Sequence, residues 1–283
     1  MLPPLDVLPQ YLLPKQAMTA FARLVAGWRG GAVTTAIIRR FIARYGVEMR
    51  EAEQPDPTAY ASFNEFFTRA LRPLARPLAQ AELICPVDGA ISQFGAIVAG
   101  GQIVQAKGHH YSAGALLGGD SALAAAFDGG SFATLYLSPK DYHRVHMPCA
   151  GTLKRMVHVP GALFSVNPTT ARGVPGLFAR NERVVCVFDT AYGPLALVLV
   201  GATIVGSMAT VWHGVVNPPR PGHLRAWRYD EGATIRLAQG EEMGRFLLGS
   251  TVVLLWPTGP WRLNPAWLAG GTVRLGELMA TRD

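Results

Sequence analysis

The sequence is poor in charge, in lysine and in cysteine. Only 16% of its 283 residues are charged and 49% are hydrophobic, whereas an average domain has about 25% charged residues. This composition excludes a disordered chain, which needs low hydrophobicity and high charge. The chain carries a net charge of +7, but only four of its 26 basic residues are lysine, and so weakly charged a surface argues against a nucleic-acid partner. Three cysteines without a C-x-x-C pair argue against a disulfide framework and favour a reducing compartment.

Several common catalytic motifs are also absent. The sequence contains no G-x-G-x-x-G, no Walker loop, no H-E-x-x-H and no G-x-S-x-G. It therefore gives no support for nucleotide binding, for a zincin metalloprotease or for a hydrolase with a nucleophile elbow. Four histidines at positions 109, 110, 143 and 146 have no nearby cluster of cysteines or carboxylates at ligand-like spacing. We therefore expect no metal site.

Residues 190–219 contain no Asp, Glu, Lys or Arg, which is long enough for a transmembrane segment. Four glycines and Pro194 interrupt the stretch before its terminal Pro218 and Pro219, however, and Val, Ile and Thr predominate between them. Short β-branched runs bounded by glycine are typical of buried strands. The stretch is therefore predicted to form part of a buried β-core.

The N-terminal region is basic and amphipathic. Five of the seven net positive charges lie within residues 1–45. Phe21, Leu24, Val25 and Trp28 follow the spacing of one helical face, and a second apolar run over residues 37–45 includes three arginines. The pattern is typical of helices that lie in a bilayer interface. Two ordinary helices packed on the core would give the same periodicity, and the sequence leaves both interpretations open.

From about residue 83 onward, short apolar runs replace helical periodicity. The candidate strands are residues 90–94, 102–105, 133–137, 153–158, 184–188, 195–200, 203–204, 210–212, 233–237 and 251–255. We expect one short helix within residues 63–73, ended by Pro73. The sequence therefore predicts an α+β fold in which N-terminal amphipathic helices precede a mainly antiparallel β core. The expected division is an N-terminal helical membrane-association region at 1–62 and a catalytic β-rich domain at 63–283.

Three segments carry residues suited to chemistry. Residues 86–89 read PVDG, residues 142–148 read YHRVHMP, and residues 248–251 read LGST. Taken singly, each has a structural interpretation: a hairpin turn, a surface histidine pair and a small-residue bulge in a buried strand. In a regular strand His143 and His146 would face opposite sides, but the bracketing prolines allow an irregular segment that directs both rings into one cavity.

Together, in this order, the three segments resemble bacterial phosphatidylserine decarboxylase, the pyruvoyl-dependent proenzyme family. The resemblance also covers FNEFFTRALRP (63–73), PVDGAISQFG (86–95), LFSVNPTTARGVPGLFARNERVV (163–185), VGATIVGS (200–207) and GRFLLGSTVV (244–253). It implies decarboxylation of phosphatidylserine to phosphatidylethanolamine. It also implies that the chain makes its own electron sink, a pyruvoyl group, in place of pyridoxal phosphate or a metal.

The resemblance assigns roles to four side chains and a cleavage site. Ser250 would attack the Gly249 carbonyl, and elimination from the resulting ester would leave a pyruvoyl group on residue 250. His146 would be the base and Asp88 would orient it, which is the Ser-His-Asp arrangement recognised by role. His143 would take part in decarboxylation or protonation at Cα. A glycine before the serine suits the close approach that this attack requires.

The resemblance also implies partners and a location. Cleavage between residues 249 and 250 would give a heterodimer of two fragments, with further oligomerisation left open. An anionic membrane surface would bring the substrate, and the enzyme would be peripheral on the cytoplasmic face of the inner membrane. We expect Phe164, Ser165 and Asn167 to contact the substrate head group, although loop packing would explain them equally well.

Two other functions fit parts of the sequence. A lipid-ester hydrolase could use the same three residues without self-cleavage, and it would run as one chain on a denaturing gel where the decarboxylase runs as two. A non-enzymatic membrane-associated β-domain would explain the basic helices but would leave YHRVHMP and LGST unexplained.

Overall fold

A computed structural model describes residues 7–106, 108–204, 207–218, 220, 222–229 and 234–283, apart from the side chain of Ser250. Helices are concentrated at the beginning of the described chain, and those that follow are short. Their bounds are α1 Pro9–Leu12, α2 Lys15–Gly27, α3 Ala32–Tyr45, α4 Phe63–Phe67, α5 Ala113–Leu116, α6 Ser121–Ala125, α7 Pro168–Gly173 and α8 Leu177–Arg180.

The rest of the described chain is built from short strands. They are β1 Leu83–Ile84, β2 Gly89–Ala96, β3 Gln102–Ala106, β4 His109–Ser112, β5 Ser131–Leu137, β6 Arg144–His146, β7 Gly151–Val159, β8 Arg183–Thr190, β9 Gly193–Val200, β10 Met208–Thr210, β11 Gly214–Val215, β12 Arg225–Arg228, β13 Arg236–Leu237, β14 Glu242–Phe246, β15 Ser250–Trp256, β16 Trp261–Leu263, β17 Thr272–Val273 and β18 Leu278–Arg282. Every pairing between these named strands is antiparallel. The predicted α+β class, with helices before a mainly antiparallel core, is confirmed.

The largest sheet forms the centre of the protein. Its strands follow the order β12-β7-β8-β9-β15-β5-β2-β17, and β13 also pairs with β7. Successive side chains of a strand point to opposite faces. In β15, Val252 and Leu254 therefore enter one hydrophobic cluster, and Val253 and Leu255 enter the cluster on the other face. Because both faces are covered, the central strands are continuously apolar, which explains the uncharged stretch seen in the sequence.

Two smaller sheets lie beside the central one. The order β11-β10-β14-β6 joins YHRVHMP to the strand that precedes LGST, and β1-β18-β16 gathers the C-terminal strands. Strands β3 and β4 pair with each other. Residues 250–283 therefore contribute strands to the central sheet and to the three-stranded sheet.

Several local predictions were wrong. Residues 203–204 form a turn, in which Ile204 adopts a φ of 61°, and residues 211–213 also turn, after β10 has ended at Thr210. The helix expected within 63–73 ends at Phe67, well before Pro73. Of the strand expected at 233–237, residues 234–237 are described and only Arg236–Leu237 form a strand, β13; Ala233 lies outside the described residues.

The N-terminal helices pack on the core by a narrow stripe. Helix α2 buries only Thr19 and Ala26, and α3 buries only Thr34 and Ile38. Phe41 of α3 contacts the aromatic rings of α4 edge-on. Among the residues that the structure describes, no helix combines the length and apolarity needed to cross a bilayer.

Candidate active site

Gly249 lies where the chain leaves β14 and its following bend to begin β15. A Cβ atom placed on Gly249 would lie 3.5 Å from Cε1 of His143 and 3.8 Å from the Leu137 carbonyl oxygen. The Ser250 backbone is in register with Leu137 on β5. The peptide bond expected to be cleaved thus lies at the N-terminal end of an interior strand of the central sheet, beside the His143 imidazole. The Ser250 side chain lies outside the described part of the chain.

His143 is completely buried beside this peptide. Its ring stacks on Phe67 of α4 with centroids 4.0 Å apart and an interplanar angle of 18°. Neither ring nitrogen has a hydrogen-bond partner among the described residues. Burial, reinforced by the positive charge of Arg69, lowers the pKa of His143 to about 3. The imidazole is therefore neutral at neutral pH.

His146 is held by two hydrogen bonds. Its Nδ1 lies 2.8 Å from the Gly240 carbonyl oxygen, and its Nε2 lies 3.0 Å from the Tyr142 hydroxyl. A carbonyl oxygen can only accept, so we assign the ring proton to Nδ1, and Nε2 then accepts from Tyr142. Burial lowers the pKa of His146 below its ordinary value. His146 is therefore a neutral imidazole whose Nε2 is the basic nitrogen.

Asp88 is buried and fully engaged. Its carboxylate accepts from Arg76 Nε at 2.9 Å and from the Leu275 amide at 2.9 Å, and Arg76 Nη2 also contacts Glu51 at 2.7 Å. Burial alone would lower the pKa of Arg76, but its bonds to Asp88 and Glu51 outweigh burial and raise it. Asp88 is thereby held in place by an arginine that remains protonated.

The structure does not join Asp88 to His146 by a hydrogen bond among the described residues, although the sequence assigns them to one triad. Tyr142 is a neighbour of both side chains. It lines a cleft of about 330 Å³ together with Asp88 and Asp141, and its hydroxyl reaches His146. Burial raises the pKa of the Asp141 carboxyl. Tyr142 thus links the cleft that contains Asp88 to the His146 ring.

A second pocket of about 180 Å³ opens over Gly249. Helix α3 contributes Phe41 and Tyr45 to its wall, and the LFSVNP segment contributes Ser165 and Asn167. Phe164, predicted with these two, instead packs in the adjoining hydrophobic cluster. Asn167 also caps α7, since its Oδ1 accepts from the Thr170 amide at 2.9 Å.

Sequence reasoning missed several residues of the site. Phe67, Phe41 and Tyr45 form the apolar wall over Gly249, and Arg76 and Gly240 fix the partners of Asp88 and His146. The aromatic run FNEFF was a usable signal for the wall. Nothing local in the sequence indicates the Arg76 or Gly240 contacts. Among the described residues, no three His, Cys, Asp or Glu side chains come together as metal ligands would.

The protein has an α+β fold. Its candidate site holds a buried imidazole beside a backbone peptide at an apolar pocket. A family model described as phosphatidylserine decarboxylase matches residues 63–281, and a second, described as PSD, matches residues 5–46. The chain belongs to the phosphatidylserine decarboxylase family.

Relatives similar to this chain have the same description, phosphatidylserine decarboxylase proenzyme. One from Albidiferax ferrireducens is 72% identical over 276 residues, covering 98% of this chain and 96% of the relative. One from Azoarcus sp. is 72% identical over 275 residues, covering 97% and 95%. One from Delftia acidovorans is 69% identical over 280 residues, covering 99% and 98%. The similarity therefore extends through the N-terminal helices as well as the β core.

Proposed function

We propose that this protein is an enzyme that decarboxylates phosphatidylserine to phosphatidylethanolamine, using a pyruvoyl group that it forms by cleaving itself between Gly249 and Ser250. The observation that carries the proposal is the position of Gly249, which lies against the unpartnered His143 imidazole below an apolar pocket. Family membership and the names of the relatives support the substrate. The pyruvoyl group supplies an electron sink for the carbanion left by loss of CO₂.

Cleavage requires Ser250 to lose its hydroxyl proton to a base as its oxygen attacks the Gly249 carbonyl carbon. The ester formed in place of the peptide bond then loses the Cα proton of residue 250 and expels the Gly249 carboxylate, which leaves dehydroalanine. Water hydrolyses the imine tautomer of this residue, so that the nitrogen departs as ammonia and the pyruvoyl group remains. We assign the base to His146, because a pKa of about 3 makes His143 a poor base at neutral pH. His146 Nε2 must exchange its hydrogen bond from Tyr142 for one from Ser250 in this step.

Asp88 serves this step from a distance in the described arrangement. Its fixed negative charge favours the imidazolium that forms on His146, while Arg76 keeps the carboxylate in place. The assignment follows the family resemblance, and the cleft shared with Tyr142 supports it.

His143 takes the later role. It lies beside residue 249 before cleavage and would remain beside residue 250 afterward. The Phe67 stack and the bond from the Phe246 amide to the His143 carbonyl hold it independently of the broken peptide. A neutral buried imidazole can accept or return one proton at the substrate Cα. Ser165 and Asn167 line the same pocket and are proposed head-group contacts.

The two cleavage fragments are proposed to stay together as a heterodimer. Residues 250–283 begin with β15, which lies between β9 and β5 in the central sheet. Its ladders to both neighbours, and those of β17 and β18 to β2 and β1, do not depend on the peptide between 249 and 250. Buried ladders of this extent are expected to hold a short fragment in place without a covalent link.

Residues 1–62 are proposed to be a peripheral membrane-association region and residues 63–283 the catalytic domain. Phe21 and Leu24 of α2 are each 69% exposed, Trp28 is 52% exposed and Val33 of α3 is 53% exposed. Because α3 also forms the pocket wall, acyl chains could stay in the bilayer while the head group reaches Gly249. We place the enzyme on the cytoplasmic face of the inner membrane.

Flotation of the full chain with vesicles of graded anionic content tests this membrane association. Binding should rise with anionic lipid, and salt should release only part of the protein, because the apolar side chains remain inserted when charge attraction is screened. A protein that stays at the bottom of the gradient at every composition would contradict a peripheral location.

The decarboxylation test uses phosphatidylserine labelled in the serine carboxyl group and measures the labelled CO₂ released. The wild-type chain should release CO₂ and run as two fragments, and Ser250→Ala should stay one chain and release none. Ser131→Ala, at the opposite end of the same β5–β15 ladder, is the matched control and should behave as wild type. An uncleaved wild-type chain that hydrolyses lipid esters would instead support the hydrolase alternative.

A further inference from the structure

Two cations contact one aromatic ring, that of Phe164, whose neighbour in sequence, Ser165, lines the pocket over Gly249. The Lys15 ammonium lies 4.7 Å from the ring centroid of Phe164, and the Arg180 guanidinium carbon lies 4.9 Å from the same centroid. Two points within 5 Å of a third are less than about 10 Å apart, a range in which like charges repel appreciably near a protein surface. Lys15 comes from the start of α2, and Arg180 from the end of α8, so the fold itself brings them together.

Neither cation is neutralised. Among the described residues, no carboxylate lies within ion-pair distance of Lys15 or Arg180, and their hydrogen bonds go to the backbone carbonyls of Gln10 and Pro175. Partial burial, together with the charge of Arg180, lowers the pKa of Lys15. A bound anion would remove both the repulsion and part of the desolvation cost.

The segment that carries Lys15 is docked in a defined position. Gln10 Oε1 accepts from the Ser165 amide at 3.0 Å, and Tyr11 contacts the Phe164 ring edge-on at 5.2 Å. Val7 is completely buried, and a Cβ on Gly173 of α7 would lie 2.6 Å from its side chain. The Lys15–Arg180 pair is therefore part of a packed surface, in contrast to flexible surface lysines.

The position of Lys15 and Arg180 in the fold indicates which anion would bind to them. Phe164 immediately precedes Ser165, which lines the pocket over Gly249, and the exposed apolar residues of α2 begin one and a half turns beyond Lys15. A phospholipid whose head group enters that pocket from a bilayer must carry its phosphate past the edge between these two features. A phosphodiester carries one negative charge shared by two non-bridging oxygens, each of which can accept from a cation, and ammonium and guanidinium groups are its usual partners.

We propose that Lys15 and Arg180 form a phosphate-binding site at the edge of the pocket, which holds the phosphodiester of the phospholipid substrate. This inference rests on the proposed function for the identity of the lipid. The site would fix the depth at which the serine head group enters, because the phosphate and the amino-acid carbon are joined by a short chain of bonds. It would therefore contribute to substrate affinity and leave the chemical step to the residues around Gly249.

The test measures kcat and KM for decarboxylation of dihexanoyl phosphatidylserine. Below its micellar concentration this short-chain lipid presents the phosphate without a bilayer. The double variant Lys15→Gln/Arg180→Gln should raise KM about tenfold, the loss of about 1.4 kcal/mol of binding, and change kcat less than about twofold. Lys15→Arg should keep a KM near that of wild type. Arg23→Gln is the matched control, because it removes one exposed charge from the same helix without touching Phe164. Complete self-cleavage of each variant on a denaturing gel shows that it has folded.

A second arm distinguishes lipid phosphate from free phosphate, using inorganic phosphate as a competitor at constant ionic strength. A raised KM without phosphate inhibition in the wild type assigns the site to the lipid phosphodiester, and inhibition that disappears in the double variant assigns it to phosphate in general. An unchanged KM with unchanged inhibition, or an equal effect from Arg23→Gln, overturns the site. If the wild type releases no CO₂ at all, the proposed function has failed, and calorimetric titration of wild type and double variant with inorganic phosphate still decides the site.

Discussion

The N-terminal helices and the central sheet use apolar residues in opposite ways. Strand β9 buries six of its eight residues, whereas α2 and α3, with 13 and 14 residues, bury two each. Both regions contain large apolar side chains, which the two helices interleave with five basic residues. The sheet satisfies its apolar side chains within the chain, because clusters cover both of its faces. The helices leave most of theirs exposed, although Ile38 of α3 is buried.

This difference indicates that the two regions were shaped by different surroundings. Large exposed apolar patches on a protein surface mark contacts with a membrane or a partner. The chemical groups lie on the other side of the division, since both imidazoles and Asp88 are in or beside the β core. The helices reach this chemistry only through the wall of the pocket over Gly249, at Phe41 and Tyr45.

The largest expected effect concerns the two imidazoles of the core. His146→Ala should block self-cleavage, since it removes the base, and should therefore abolish decarboxylation. His143→Ala should still cleave but should decarboxylate at least about 100-fold more slowly, the usual contribution of a positioned proton-transfer group. A denaturing gel and the CO₂ assay separate the two steps. Normal cleavage in His146→Ala together with blocked cleavage in His143→Ala would assign the base to His143, the ring that contacts Gly249.

A matched pair of leucines tests the comparison directly. Leu254→Ala in β15 removes a completely buried side chain and should lower the free energy of unfolding by about 2–5 kcal/mol. Leu24→Ala in α2 removes an exposed one and should change it by less than about 0.5 kcal/mol while weakening vesicle flotation. Urea unfolding and flotation are measured on both proteins. Equal destabilisation by the two changes would mean that α2 packs in solution against a surface that this account leaves open.

Acid stability should report the burial of His143. Its pKa of about 3 in the folded protein is below the ordinary value of 6.5, so the unfolded chain takes up the proton more readily. Stability is therefore full above pH 6.5 and is lost as pH falls below it, by about 2 kcal/mol at pH 5. His143→Gln should flatten this part of the profile, measured by urea unfolding at pH 7, 6 and 5. An unchanged slope would show that His143 is accessible to protons in the folded state.

The sequence predicted the order of elements well where physical signals are local. Short β-branched runs bounded by glycine became strands, and the amphipathic segments became α2 and α3. It failed at residues 203–204, where two β-branched residues form a turn, and at the end of α4. Two residues are too few to carry a strand pattern against a turn, and a helix end without Gly or Pro at its boundary has no local marker.

The residues of the site could be predicted from the sequence more fully than the contacts that these residues make. Three short motifs identified Asp88, His143, His146 and Gly249, whose roles stay predictions. The partners of these residues come from distant parts of the chain, as in the bond of His146 to Gly240 and of Asp88 to Leu275. Such contacts arise from sheet pairing, which a single sequence does not display. For the same reason, the sequence could not show that Asp88 and His146 lack a direct hydrogen bond in the described structure.

Intact mass spectrometry of the purified wild-type chain tests the central claim most directly, because it reports the cleavage position and the new terminus together. The account predicts two species, one ending at Gly249 and one comprising residues 250–283. The smaller species should be lighter by one ammonia than a fragment that begins with serine, as conversion of residue 250 to a pyruvoyl group requires. A single species with the mass of all 283 residues, in a preparation that releases CO₂ from phosphatidylserine, would contradict the account.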